Sequence, residues 1–295
     1  MNELINTKQQ DSMAAWYAVF VLLLAYVLSF VDRIILSLLV TPIKEDLGTT
    51  DAQMGLLMGF AFAIFYTIAG IPIAKYSDVK SRKMIIAIGI FLWSIMTAVC
   101  GLARSFFQLF LARVGVGVGE AALTPAAYSM ISDYFSEEKL GRAMAVYKSG
   151  AMFGGGLAFI IGGAVVGYVV NSDSIILPLL GEMKPWQMAF IIVGLPGVLI
   201  GLLMLTVKEP SRTGVADTLD KKVSISDAIK YMQKRWRIYL FIFLGFAFMA
   251  APISSALTWI PVYLQRIHEM SIPESGRTLG IIIFFLSSSG VLVSG

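Results

Sequence analysis

The 295-residue chain is 57% hydrophobic and only 14% charged, with a mean hydropathy of +0.79; a soluble domain carries about 25% charged residues, so an ordinary water-soluble fold is excluded. The net charge of +4 resides in connectors between apolar segments, which makes it a topology signal and removes the motive for nucleic-acid binding. One cysteine, Cys100, and one histidine, His268, exclude a disulfide framework and a Cys/His zinc site, and the placing of Cys100 in an apolar run and of His268 in a polar connector argues against a Cys/His nucleophile pair.

Residues 1–13 are polar, unlike a signal peptide, which needs a short apolar core and a small-residue cleavage site. A bilayer core about 30 Å thick requires roughly 20 apolar residues per helix. Such segments recur at residues 16–40, 54–74, 84–103, 106–134, 143–170, 186–207, 239–261 and 276–295, which predicts eight spans. "AIFYTIAGIPIA" and "YLFIFLGFAFMAA" are apolar on every side. The strands of a membrane barrel would alternate, so the spans are expected to be helices.

Orientation follows from the basic residues of the connectors. With the N-terminus placed in the cytoplasm, that side holds fifteen Lys and Arg, among them Lys75, Lys80, Arg82, Lys83, Lys139, Arg142 and Lys208. The other side holds five: Lys44, Arg104, Lys184, Arg266 and Arg277. A cytoplasmic N-terminus is therefore expected. Residues 1–207 form a predicted six-helix transmembrane bundle. Residues 208–236 form a cytoplasmic linker in which Ser224 and Asp227 fit a capping box and Ile225, Ala228, Ile229, Met232 and Trp236 share one helix face. Residues 237–295 hold the last two spans, and "GIIIFFLSSSGVLVSG" ends inside apolar sequence, so a C-terminally truncated chain is expected.

Charge inside a span costs about 2.5–3.5 kcal/mol per group and normally faces a cavity or a partner. Asp32 and Arg33 lie in the first span, Arg113 and Glu120 in the fourth, and Lys148 in the fifth. Seven steps of about 100° bring Glu120 back to within roughly 20° of Arg113, about 10 Å further along the axis. Asp32 and Arg33 point about 100° apart and so serve different partners. Two readings of the quartet stand: a working site in a cavity, or buried ion pairs that fix helix packing. Lys148 either joins the cavity or extends toward the interface.

The glycines of "RVGVGVGEA" need their own account. Gly117, Gly119 and Ala122 match the dinucleotide fingerprint G-x-G-x-x-A, which requires a preceding strand; "FFQLFLAR" continues a membrane span instead, so the match is rejected. As helix residues, Gly115 and Gly119 form a small-xxx-small face and Gly117 thins another side. Pro125 is expected to kink the span. "MFGGGLAFIIGGAVVG" in the fifth span repeats the pattern of close helix contact.

These residues resemble the major facilitator superfamily. "GIPIAKYSDVKSRKMII" is similar to its loop signature G-x-x-x-D-R-x-G-R-R: Asp78, Arg82 and Lys83 match, while Val79 and Ser81 depart from Arg and Gly. "RVGVGVGEA" followed by "TPAAYSMISDYF" is similar to the fourth-helix motif R-x-x-x-G-x-G-x-A. With "SFVDR" and "GRAMAVY", the chain most resembles the Spinster-like branch; the organic anion:cation symporter branch also carries a first-helix Asp-Arg and a fourth-helix Arg and Glu.

The resemblance implies an all-α integral membrane fold of twelve helices in two bundles with alternating access, of which this chain holds the N-terminal bundle and the first two helices of the C-terminal one. It implies a multi-pass protein of the bacterial inner membrane, working as a monomer without cofactor or metal. Glu120 and Asp32 are predicted protonation sites, with Arg33 and Arg113 as counter-charges and anchors for an anionic group. Asp78, Arg82, Lys83, Asp133 and Arg142 are implied to form a cytoplasmic gate latch; topological charge alone is the alternative. Expected partners are protons, the lipid bilayer, and either an amphipathic anion such as a lysolipid or sphingoid phosphate, or a small organic anion such as a sugar acid. No enzyme constellation is present in the sequence. A non-transporting receptor on the same fold stays open as an alternative.

Overall fold

The computed structural model describes residues 11–170, 175–177, 181–212 and 225–294. Nearly all of them are helical. Helix α1 (Met13–Leu38) opens at Ser12, whose hydroxyl accepts from the Ala15 N–H at 3.2 Å and so satisfies one of the exposed donors of a helix start. A short helix, α2 (Val40–Leu47), stops at Gly48 in the left-handed region, φ 63°. Helix α3 (Asp51–Gly55) begins with a capping box between Thr50 and Gln53 and runs through a π turn, Leu56–Phe60, into α4 (Ala61–Ser77).

Helices α5 (Arg82–Cys100), α6 (Phe106–Glu120), α7 (Leu123–Tyr134), α8 (Glu137–Val170) and α9 (Pro185–Thr206) follow. Between α8 and α9 lies a two-stranded antiparallel ribbon, β1 (Ile175–Leu177) with β2 (Gly181–Met183). Three-residue strands carry too little alternation to register as a period in sequence. Beyond these come α10 (Ile225–Lys234), α11 (Trp236–Ile267) and α12 (Ile272–Ser294).

Among the described residues, seven helical segments are long and apolar enough to cross a membrane: Met13–Leu38, Asp51–Ser77, Arg82–Cys100, Phe106–Tyr134, Glu137–Val169, Pro185–Thr206 and Trp236–Ile267. The eighth predicted span is the helix α12. The fourth span differs from the expected single kinked helix, because it is interrupted at Ala121 and Ala122 between α6 and α7. Pro125 has no N–H to give to the carbonyl of residue 121, and its ring crowds that carbonyl. The freed turn tightens instead, with Ala122 N–H donating to the Gly119 carbonyl at 3.2 Å.

The chain divides into two compact units. One comprises Met1–Ser211 with Pro261–Gly295, and the other Arg212–Ile260. The second unit contains α10 and the greater part of α11, where Phe241, Phe246 and Phe248 are exposed. Asp227 sits in the first turn of α10; Ser224, the other half of the predicted capping box, lies outside the described residues.

Close backbone approach organises the first unit, as expected where hydrocarbon chains give helices no hydrophobic reason to associate. A Cβ at Gly119 would lie 2.7 Å from the Trp93 nitrogen, and one at Gly117 would lie 2.8 Å from the Phe62 carbonyl oxygen. The alternate glycines therefore seat α6 against two neighbours, α5 and α4. Helix α8 packs on α1 near Gly150 and Gly154, and on α12 where Gly163 meets Gly276. Trp93, Phe159, Phe190, Leu22 and Ile35 are buried in the resulting core.

Candidate functional site

Helices α1 and α6 bring four of the five intramembrane charges together. Arg33 donates from Nε and Nη2 to Glu120 Oε2 at 2.8 and 2.5 Å. Arg113 donates from Nη1 to the backbone carbonyl of Asp32 at 3.0 Å. The spacing of seven places Arg113 and Glu120 on one face, yet each meets a different residue of α1. Asp32, Arg113 and Glu120 are at most 1% exposed, whereas the Arg33 side chain is 32% exposed. Both Asp32 carboxylate oxygens, Glu120 Oε1 and Arg113 Nε have no hydrogen-bond partner among the described residues. Thr97, on α5, lies within electrostatic reach of Asp32, but its hydroxyl does not complete a hydrogen bond. The cluster is balanced in formal charge and incomplete in hydrogen bonding.

Aromatic rings surround this cluster. The Arg33 guanidinium carbon lies 4.6 Å from the centre of the Phe62 ring, 5.5 Å from Phe30 and 5.8 Å from Tyr66. At a partly exposed guanidinium such as this one, contacts of this type are worth about 0.5–2 kcal/mol. Phe62 and Tyr66 stack on each other one turn apart on α4, with centroids 5.4 Å apart. Tyr147 stacks on Tyr26 at 4.9 Å and meets Tyr128 edge-on at 5.6 Å. Lys148 Nζ stands 5.8 Å from the Tyr128 ring centre, so it lies over an aromatic face. Sequence reasoning singled out none of these rings; the i, i+4 spacing of Phe62 and Tyr66 was the available signal.

At the end of the first unit that carries Asp11, Arg82 forms a knot. It is 1% exposed and ion-paired to Asp133 and, at 3.4 Å, to Glu209. Its Nη1 donates to the Ser129 carbonyl and hydroxyl at 3.2 and 2.9 Å, and its Nη2 to the Pro210 carbonyl at 3.0 Å. Glu209 also accepts from the Ser81 hydroxyl and, at 2.7 Å, from the Arg82 backbone N–H. Burial pushes the Glu209 carboxyl upward, but the Ser81 hydroxyl and the Arg82 backbone and guanidinium outweigh it and hold the group below its ordinary value. Asp11 is likewise held low: partial desolvation opposes the shift, and hydrogen bonds from Ser136 together with Lys139 prevail.

Of the predicted latch residues, Arg82 and Asp133 meet directly. Asp78 is the C-cap of α4. Lys83 Nζ donates to the Leu205 carbonyl at 3.3 Å, and Arg142 is in none of the ion pairs found among the described residues. Glu209 was not foreseen. It follows the sixth span directly in "VKEP", where a lone acid among basic residues is the usable signal.

At the opposite end, Asp51 joins Lys44 at 2.6 Å and Arg266 at 2.7 Å. Asp46 is paired to Lys184 and accepts from the Trp186 indole N–H at 2.8 Å. A cleft of about 610 Å³ opens beside these pairs, lined in part by Thr41, Trp186, Gln265 and Arg266. None of the quartet lines it.

Comparison with known proteins accords with this architecture. Residues 22–295 match the profile of the Major Facilitator Superfamily. An MFS-type efflux pump of Mycolicibacterium smegmatis is 32% identical over 95% of this chain and 62% of its own length. A probable L-galactonate transporter of Escherichia coli is 26% identical over 94% of this chain and 60% of its own length. The solved structure of a bacterial homologue of the human lysosomal transporter Spinster, inward-facing and unoccupied, superposes with a TM-score of 0.79 at 32% identity, covering 93% of this chain and 60% of that one. The chain thus spans about three-fifths of the length of these relatives. With its membrane helices, its loop and fourth-helix motifs and a profile match over most of its length, the chain is a multi-pass membrane protein that belongs to the Major Facilitator Superfamily.

Proposed function

We propose that this protein is a proton-coupled secondary transporter that moves an anionic solute by alternating access. The observation that carries this reading is the quartet. Two carboxylates and the Arg113 guanidinium are buried where α1 meets α6, with the partly exposed Arg33 beside them, and both oxygens of Asp32 and one of Glu120 have no hydrogen-bond partner among the described residues. The protonation of such a carboxylate is set by competition between desolvation and the nearby guanidinium. An anion that engages the guanidinium changes that competition, so proton and solute are linked through a shared arginine. In this reading Glu120 and Asp32 exchange the proton, while Arg33 and Arg113 are counter-charges and anion anchors.

The Arg82, Asp133 and Glu209 knot is assigned as a latch that opens and closes one entrance, with Asp78, Lys83 and Arg142 as its neighbours. The excess of Lys and Arg at that end supports placing it, with the N-terminus, in the cytoplasm and the protein in a bacterial inner membrane as a monomer. Residues 1–207 act as the N-terminal bundle, 208–236 as the linker, and 237–295 as the first helices of the second bundle. The likeness to the L-galactonate transporter favours a sugar acid as solute, whereas likeness to a mouse sphingosine-1-phosphate transporter, 28% identical over 83% of this chain, favours an amphipathic anion. Both present a carboxylate or phosphate to an arginine.

The test is Glu120→Gln in proteoliposomes, with uptake of L-galactonate and of a sphingoid phosphate driven by an imposed pH gradient. Proton-driven uptake is expected to be lost while exchange without a gradient persists. Unchanged proton-driven uptake overturns the assignment.

A further inference from the structure

Neutralising Glu120 creates a difficulty at Arg33. The arginine would lose its ion-pair partner while remaining among apolar helices, and a long side chain in that position extends toward water. Its environment offers a second hold. The guanidinium lies against Phe62, Phe30 and Tyr66 at 4.6, 5.5 and 5.8 Å. Nε and Nη2 are used by Glu120, no hydrogen bond from Nη1 is among those described, and the side chain is about one-third exposed. A guanidinium presents five N–H donors in a planar fork that suits carboxylate and phosphate.

The rings are positioned by backbone features. The π turn Leu56–Phe60 precedes Phe62 on the same helix, and π turns cluster at functional sites. Gly117, three residues before Glu120, lets the Phe62 backbone come close to α6; a Cβ there would lie 2.8 Å from the Phe62 carbonyl oxygen. One helix contact therefore fixes both the ring and the acid on either side of Arg33. The other titratable groups within electrostatic reach are Asp32 and Tyr26 on α1, Tyr66 on α4 and Arg113 on α6, with Tyr128 of α7 beyond Tyr26.

We propose that Phe30, Phe62 and Tyr66 are positioning residues, forming an aromatic clamp that keeps the Arg33 guanidinium in place when a proton neutralises Glu120, so that the released N–H donors receive the anionic group of the solute. This inference rests on Glu120 as a proton site.

The test reads Arg33 without requiring a known solute. The full chain is treated with phenylglyoxal, an arginine-selective reagent, and modification of Arg33 is followed by peptide mass spectrometry. In Glu120→Gln the rate is expected to stay within about twofold of wild type, because the rings retain the guanidinium. Adding Phe62→Leu and Tyr66→Leu to Glu120→Gln is expected to raise it about tenfold, equivalent to ~1.4 kcal/mol, as the side chain escapes to water. Phe62→Trp in the Glu120→Gln background restores slow modification. Phe62→Leu alone in that background is the milder variant should the triple change fail to fold, with an intermediate rise expected. Equal rates with and without the rings overturn the clamp, as does a tenfold rise in Glu120→Gln alone. Proton-driven uptake of the Glu120→Gln protein separately tests the proton site, so the two failures are distinct.

Discussion

The two buried charge clusters of the first unit differ in how completely their polar atoms are satisfied. Around Arg82, both Nη atoms and Nε reach acceptors, and Glu209 gathers donors from Ser81 and from the Arg82 backbone. Around Glu120 and Asp32, three carboxylate oxygens and one guanidinium nitrogen have no hydrogen-bond partner among the described residues. Satisfied buried networks specify one arrangement, whereas under-satisfied ones retain unused capacity. The knot has the character of a device that holds a shape. The quartet has the character of a site whose occupancy changes.

The largest expected effect breaks the knot. Arg82→Met leaves Asp133 and Glu209, with side chains 11% and 24% exposed, without their shared cation. Losing one partner of a buried pair costs about 3–5 kcal/mol, and the partial exposure of both acids sets the expectation at the low end. Arg113→Met removes one hydrogen bond to a backbone carbonyl and a counter-charge that acts on Asp32 and Glu120 through space without a direct ion pair among the described residues, and is expected to cost less. Thermal unfolding of the two purified variants checks this directly. Equal losses would mean that hydrogen-bond satisfaction does not separate the two regions.

A second, smaller effect concerns the backbone contacts beneath the quartet. Gly119→Ala places a methyl 2.7 Å from the Trp93 nitrogen, where main chain has little freedom to yield, and overpacking of this kind costs about 1–3 kcal/mol. Gly141, also in a helix, has nothing within 4 Å of such a methyl. There Gly141→Ala is expected to stabilise by about 0.5–1 kcal/mol through helix propensity. Opposite signs in thermal unfolding would show that the glycines of "RVGVGVGEA" serve packing; a destabilised Gly141→Ala would leave that point open to a general intolerance of alanine.

Much of this arrangement was legible in the sequence, for reasons that differ by residue. Apolar runs long enough to span a bilayer fix the helices almost by length alone. The seven-residue interval placed Arg113 and Glu120 on one face because helical phase is a local property. Partner choice is not local. That Glu120 meets Arg33 while Arg113 meets the Asp32 carbonyl depends on how α1 and α6 are placed relative to each other, which packing between helices far apart in the chain determines in three dimensions. Phe62 was overlooked because an aromatic in a membrane span is unremarkable until a guanidinium is found over it. Glu209 was overlooked because its partner, Arg82, is 127 residues away in the chain.

A still smaller effect separates the carboxylates of the two regions. Asp32→Asn keeps the shape of a side chain whose oxygens make no hydrogen bond among the described residues, so removing its charge is expected to cost little stability. Asp133→Asn removes the charge paired with Arg82 and is expected to cost more. Unfolding measured for both variants in the same detergent decides between them. A larger loss for Asp32→Asn would indicate that its charge is compensated through space by Arg113 and Arg33 more strongly than its missing hydrogen bonds suggest.

The smallest expected effect appears only in acid. Glu209 is held below its ordinary value because the donors from Ser81 and Arg82 prevail over burial. A carboxyl held lower in the folded than in the unfolded chain binds fewer protons when folded, and its stabilising contribution is fully present above about pH 4.3, the unfolded value. That contribution disappears as pH falls through the lower, folded value. Asp11 is shifted in the same direction by Ser136 and Lys139 and adds to the same acid limb. The melting temperature of the wild type is therefore expected to fall more steeply below about pH 4.3 than that of Glu209→Gln, which starts lower at neutral pH but has one fewer group to protonate. Adding Asp11→Asn should flatten the limb further. Parallel acid limbs in wild type and Glu209→Gln would mean that the knot is held by geometry around Arg82 and Asp133 alone, with Glu209 contributing hydrogen-bond acceptors but no charge linkage.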